Sequence, residues 1–179
     1  MPQKVATAMA KLNETIMGAE YEMIAYIGSQ VVNGTNHAVL AEQTVVNGRD
    51  SKNIVVLIFN EKPNVETVSL VSIERILESG EALGGLHLDV KTDLDDDVMK
   101  IWNDAFEGFV GSTVTPYALL GTQVTKGTNY IFAAALSTMA YEPEEKALIV
   151  TINPMEGTVK MGDMLTSKHE ASLGYAFTW

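Results

Sequence analysis

The sequence predicts an α+β protein of two tandem small domains, each with one helix packed on an antiparallel sheet of four or more strands. Three observations predict it. A ten-residue stretch occurs twice, an apolar helical stripe repeats at the same spacing, and each stripe precedes a run of strand-like segments and turns. The stretch Gly28-Ser29-Gln30-Val31-Val32-Asn33-Gly34-Thr35-Asn36-His37 returns as Gly121-Thr122-Gln123-Val124-Thr125-Lys126-Gly127-Thr128-Asn129-Tyr130, 93 residues on. A repeat of about half of a 179-residue chain marks two copies of one structural unit. It divides the chain into residues 1–92 and 93–179. About 90 residues suffice to bury a workable core.

The helices come first. Val5, Ala8, Met9, Leu12 and Ile16 recur at i, i+3, i+4 and i+7, and Val98, Ile101, Trp102, Ala105, Phe106 and Phe109 do the same in the second copy. Gly18 and Gly111 follow as helix stops. First strands are predicted from Tyr21 to Gln30 and from Thr115 to Gln123, rich in β-branched and aromatic residues. Val31–Gly34 and Val124–Gly127 read as tight turns. Second strands follow from Thr35 to about Val46 and from Thr128 to about Ala140. Asn47-Gly48-Arg49-Asp50 and Glu142-Pro143-Glu144-Glu145 are turn segments. Third strands run from Ile54 to Phe59 and from Ala147 to Ile152. Lys62-Pro63-Asn64 and Asn153-Pro154-Met155-Glu156-Gly157 turn the chain again. Fourth strands are predicted near Glu66–Ile73 and Thr158–Leu165. The copies end on similar tails, Glu81-Ala82-Leu83-Gly84-Gly85-Leu86-His87-Leu88 and Glu170-Ala171-Ser172-Leu173-Gly174-Tyr175-Ala176-Phe177.

Composition narrows the function. A net charge of −11 repels phosphate backbones and anionic lipid, so neither nucleic acid nor a membrane surface is expected as a partner. With no cysteine, disulfides, thiolate metal sites and cysteine nucleophiles are excluded. No leader-like segment and no apolar run of transmembrane length is present. The chain therefore reads as soluble and cytoplasmic.

Few side chains suggest chemistry. Asp93, Asp95, Asp97 and Asp104 have part of the spacing of a calcium loop, but Val98 stands where the glycine is needed. They fit the cap and dipole of the helix that follows. His37, His87 and His169 lack ligand spacing, and no nucleophile–base set or phosphate-cradling loop is legible. The expectation is a protein with no catalytic residues, no metal and no cofactor. Trp102 and Trp179 read as packing residues.

The segment Gln30-Val31-Val32-Asn33-Gly34-Thr35-Asn36 resembles the signature of the cystatins, in which a Gln-Val-Val-Ala-Gly hairpin is commonly followed by Thr-Asn-Tyr. The second copy is similar, with Tyr130 in the Tyr position. By pattern the likeness covers most of both copies; by identity it covers about ten residues around each hairpin. It implies tandem cystatin-like domains that inhibit papain-like cysteine proteases. In that family a wedge of an N-terminal trunk and two hairpins fills the protease cleft. The binding residues it implies here are Gln30, Val31, Val32, Asn33 and Gly34 with Pro63 in copy one. In copy two they are Gln123, Val124, Thr125, Lys126 and Gly127 with Pro154 and Met155. Neither copy carries a complete wedge: copy one is almost without a trunk, and Lys126 puts a charge at the tip of copy two. A cystatin-like module that binds another protein or builds an assembly, without inhibition, therefore stands beside the inhibitor. The family's habit of domain swapping implies a domain-swapped dimer.

Overall fold

A computed structural model describes residues 3–46, 51–80, 85–139 and 145–165. The turns predicted at Asn47–Asp50 and Glu142–Glu144, the segments Glu81–Gly84 and Glu170–Phe177, and Trp179 lie outside the described residues.

The chain order is α1 (Gln3–Thr15), β1 (Ala19–Val32), β2 (Gly34–Val45), β3 (Ser51–Glu61), β4 (Val68–Glu78), β5 (Leu86–Lys91), α2 (Asp96–Ala105), β6 (Ser112–Thr125), β7 (Gly127–Thr138), β8 (Glu145–Asn153) and β9 (Thr158–Met164). Strands β1-β2-β3-β4 form one antiparallel sheet and β5-β6-β7-β8-β9 another, each in chain order. The described residues up to Ser79 belong to one compact unit, and those from Gly80 to Leu165 belong to a second.

The predicted α+β class, with cystatin-like domains of one helix on one sheet, is overturned. Among the described residues strand far outweighs helix, with two helices beside sheets of four and five strands. The protein is thus mostly antiparallel β. Two physical causes separate prediction from structure. The strands are longer than their turn signals suggest; β1 runs through Val31 and Val32, and β4 continues to Glu78. A helix laid on a sheet also covers only one face. Val39, Ala41, Val55, Leu57 and Phe59 pack with α1, yet the alternate residues Ala38, Leu40, Ile54, Val56 and Ile58 are just as buried. Strands buried on both faces read as continuous apolar runs, and Ile54–Phe59 is such a run.

Each helix is placed by its stripe. Val5, Ala8, Met9 and Leu12 are buried against β1–β4 residues, each large side chain contributing about 1.5–3 kcal/mol of apolar transfer. In the second unit Val98 and Trp102 pack with Leu119, Phe132, Leu148, Val150 and Ile152. Trp102 meets Phe106 at 4.6 Å and, edge-on, Phe132 at 5.1 Å between ring centroids. Asp95 is the N-cap of α2: its Oδ1 accepts from the Val98 amide at 2.9 Å. This helix stops at Ala105 with Phe106 as its C-cap, short of Phe109 and of the predicted stop at Gly111, and Gly108, two residues past the cap, takes φ +77°.

Segment 86–91, which the sequence suggests is the end of the first repeat, is a strand of the second sheet: Leu86, His87 and Leu88 lie opposite Gln123, Thr122 and Gly121. Among the described residues no helix is long and apolar enough to cross a membrane.

Candidate functional site: the paired turns at one end of each sheet

The repeated hairpins close with one residue between paired positions. Val32 pairs with Gly34 across Asn33, and Thr125 with Gly127 across Lys126. Both glycines take positive φ, +105° and +92°, which only glycine adopts at no steric cost. They also permit close packing of the next turn. A Cβ on Gly34 would stand 2.6 Å from the Glu61 carbonyl oxygen, and one on Gly127 would stand 2.8 Å from Met155 Cβ. The β1–β2 hairpin and the turn after β3 therefore form one surface, and the β6–β7 hairpin and the turn after β8 form another.

A ladder of side-chain amides fixes that surface from beneath. Asn36 Nδ2 donates to Gln30 Oε1 at 3.4 Å, and Asn60 Nδ2 donates to Asn36 Oδ1 at 2.8 Å. The second unit repeats it 93 residues on: Asn129 Nδ2 to Gln123 Oε1 at 3.4 Å and Asn153 Nδ2 to Asn129 Oδ1 at 2.9 Å. Asn153 Nδ2 also lies 3.2 Å from the Lys126 carbonyl oxygen, and its Oδ1 accepts from the Glu156 amide at 3.1 Å. The first ladder is buried and the second half-buried around a buried Asn153; buried amides need partners, and these tie three strands and two turns together.

The ladder is incomplete in the first unit. Asn60 Oδ1 is buried without a partner. The residue that corresponds to Glu156 is Pro63, which has no N–H to give. Backbone shape survives the change: Asn64 and Gly157, again 93 apart, take φ of 62° and 61°.

Of the residues that the sequence singles out, Gln30 is only 6% exposed and serves the ladder. Val31, Val32 and Asn33 project from the tip, with Val31 83% exposed, and Pro63 is exposed beside them. In the second unit Val124 is 69% and Met155 72% exposed; Thr125, Lys126 and Pro154 are exposed as well, and Gln123 is half-buried. Asn36 and Asn129 stood in the sequence only as the Thr-Asn after each hairpin, and Asn60 and Asn153 were not named as site residues, although the 93-residue spacing of each pair is a signal that could have found them.

Charge distinguishes the two surfaces. A groove beside the first unit's turn is lined by Lys4, Lys11 and Lys62 with Glu61. The corresponding groove of the second unit has Asp104 where Lys11 stands, with Ile101, Ile152 and Val159. The first surface therefore favours an acidic rim on a partner and the second an apolar one. Among the described residues no three His, Cys, Asp or Glu side chains gather to hold a metal ion. The chain matches no protein-family model, and no curated protein matches it.

Proposed function

We propose that the chain is a non-catalytic binding protein that inserts the paired turns at the end of a sheet into a groove on another protein. The sequence resemblance points to a papain-like cysteine protease as that partner. One observation carries the reading. Val31, Val32, Val124 and Met155 are solvated apolar side chains at the hairpin ends and the adjoining turn, whose backbone is held by ladders of side-chain amides. A rigid apolar tip loses little conformational freedom on docking, so more of its buried area appears as affinity. The cysteine-free sequence fits a reducing compartment such as the cytoplasm.

The test is calorimetric titration of an active-site-blocked papain-like protease, with inhibition of the active enzyme alongside. Binding is expected, and Val32→Asp should weaken it about tenfold or more, since a charge would enter an apolar groove. No heat of binding and no inhibition would exclude the protease. A second reading, a module that builds an assembly without inhibiting anything, is favoured by Leu70, Val71 and Ile73, which are exposed on β4 at the edge of the first sheet. A multimer that Leu70→Lys disperses would support it.

A further inference from the structure

The two units carry opposite charges where each helix meets the turn after the third strand. Lys4 and Lys11 of α1 line a groove with Lys62, Asn64 and Val65. In the second repeat Asp97 stands at the position of Lys4, Asp104 at that of Lys11 and Met155 at that of Lys62. Asp104 lines the corresponding groove with Ile101, Pro154 and Val159. The second unit builds the same helix-to-turn groove without the lysines, so the fold does not require them. Lys4 even stands in the first turn of α1, where the helix dipole disfavours a cation. Asp97, in the first turn of α2, is favoured there by the same effect. None of Lys4, Lys11 and Lys62 has an ion-pair partner among the described residues.

We propose that the basic turn surface of the first unit binds the acidic turn surface of the second unit on another copy of the chain. Spacing carries this as well as charge. Lys4 and Lys11 are seven residues apart, and so are Asp97 and Asp104. On either helix that is about 10 Å along the axis, with both members on nearly one face. Two helices lying side by side can therefore close two ion pairs at once. Asp104 already accepts from Lys100, and a carboxylate has acceptor sites for a second cation. Exposed ion pairs contribute only about 0.2–1 kcal/mol each, so charge selects the partner and the register while apolar area supplies affinity. That area is present. Val65 is exposed at the first groove, Val159 at the second, and Met155 on the turn beside it. A contact between two unlike surfaces leaves one of each unused on a pair of copies, so it can pass from copy to copy. The net charge of −11 opposes association at long range, which makes the contact weak and reversible. It occupies the turns that would enter another protein's groove, so the two would compete, but it does not depend on that reading.

Analytical ultracentrifugation of the 179-residue chain across concentrations tests this. The wild type is expected to associate reversibly as concentration rises. Lys4→Glu/Lys11→Glu and Asp97→Lys/Asp104→Lys should each weaken association about tenfold or more, because like charges then face each other. The two double variants shift the net charge in opposite directions, so general repulsion cannot account for a loss in both. Mixed in equal amounts they should associate again, since each then carries the complement of the other. That recovery also shows that both are folded. Lys4→Glu moreover suits the start of α1, so if Asp97→Lys/Asp104→Lys fails to fold, the Lys4→Glu/Lys11→Glu result decides alone. A wild type that stays monomeric at every concentration overturns the proposal. So does association that Lys4→Glu/Lys11→Glu leaves unchanged, or a mixture of folded variants that gains nothing. An assembly that Leu70→Lys disperses and Lys4→Glu/Lys11→Glu does not would place the contact on β4 and overturn the proposal as well.

Discussion

Asn153 and Asn60 hold the same place in the two units and differ in what they can bond. Asn153→Ala would remove the hydrogen bonds to the Asn129 carboxamide oxygen, the Lys126 carbonyl and the Glu156 amide. These partners are partly exposed and can turn to water, so the loss is that of net hydrogen bonds, about 0.5–1.5 kcal/mol each at most, and the urea midpoint should fall accordingly. The first unit offers the opposite experiment. Pro63→Ala restores an N–H where Asn60 Oδ1 has no partner. The new bond is worth about 1 kcal/mol or more against about 0.4–1 kcal/mol for the lost proline rigidity. The variant should be at least as stable as the wild type; a clear loss in urea would show that the turn does not deliver its amide to Asn60. Tyr117 gives a pH signature. Burial foremost, and then the Glu145 carboxylate, raises its phenol above the ordinary value of 10. A raised folded-state pKa means that the neutral phenol's stabilising contribution is complete below the unfolded value and is lost as pH rises through the folded one. Ultraviolet titration should therefore show a late phenol ionisation that is lost in Tyr117→Phe.

The hairpins were legible because a repeated turn glycine is a backbone requirement, and the sequence displays such requirements directly. The helical stripes were legible because Val5, Ala8, Met9 and Leu12 keep helical spacing on one buried face. The sheets were less so. Ala38–Ala41 and Ile54–Phe59 are unbroken apolar runs, the pattern of a strand buried on both faces, yet counting one helix and one meander per repeat obscured the weight of strand. β5 was missed because Leu86–Lys91 is short and follows a glycine pair, which reads as an ending. The exposed tips could be named from the sequence, but the amides beneath them are joined only by the register that puts Asn36 opposite Asn60. At this scale the caps and stripes make their own predictions. Asp95→Ala should cost about 1 kcal/mol by removing the N-cap of α2. Trp102→Ala should cost about 3–5 kcal/mol, because Phe106 and Phe132 lose their packing partner. A thermal scan in which the two variants behave alike would show that α2 owes little to its burial.

Across the whole molecule, the hairpin tip is both the proposed contact and the place where the chain can exchange partners. β1 and β2 pair along their whole length, and the closed state depends on one turn. Val31 and Val32 favour extended backbone, so the turn rests on Asn33 and Gly34. Gly34 is strained against replacement twice over, by φ +105° and by the Glu61 carbonyl 2.6 Å from any added Cβ. If the hairpin opens, β1 and β2 become one strand, residue 34 becomes extended, and both penalties vanish. The opened strand can recover every lost pairing from a second copy, since exchange between identical protomers remakes identical contacts. Gly34→Ala should therefore destabilise the closed monomer and leave an exchanged dimer almost untouched. Size-exclusion chromatography after mild heating and slow cooling should show more dimer for Gly34→Ala than for the wild type, rising with concentration. Gly18→Ala makes the matched control: it also replaces a positive-φ glycine, with nothing within 4 Å of the added carbon, and it lies outside the hairpin. A Gly34→Ala protein that is less stable yet monomeric at every concentration would mean that the hairpin does not open before the rest of the unit unfolds.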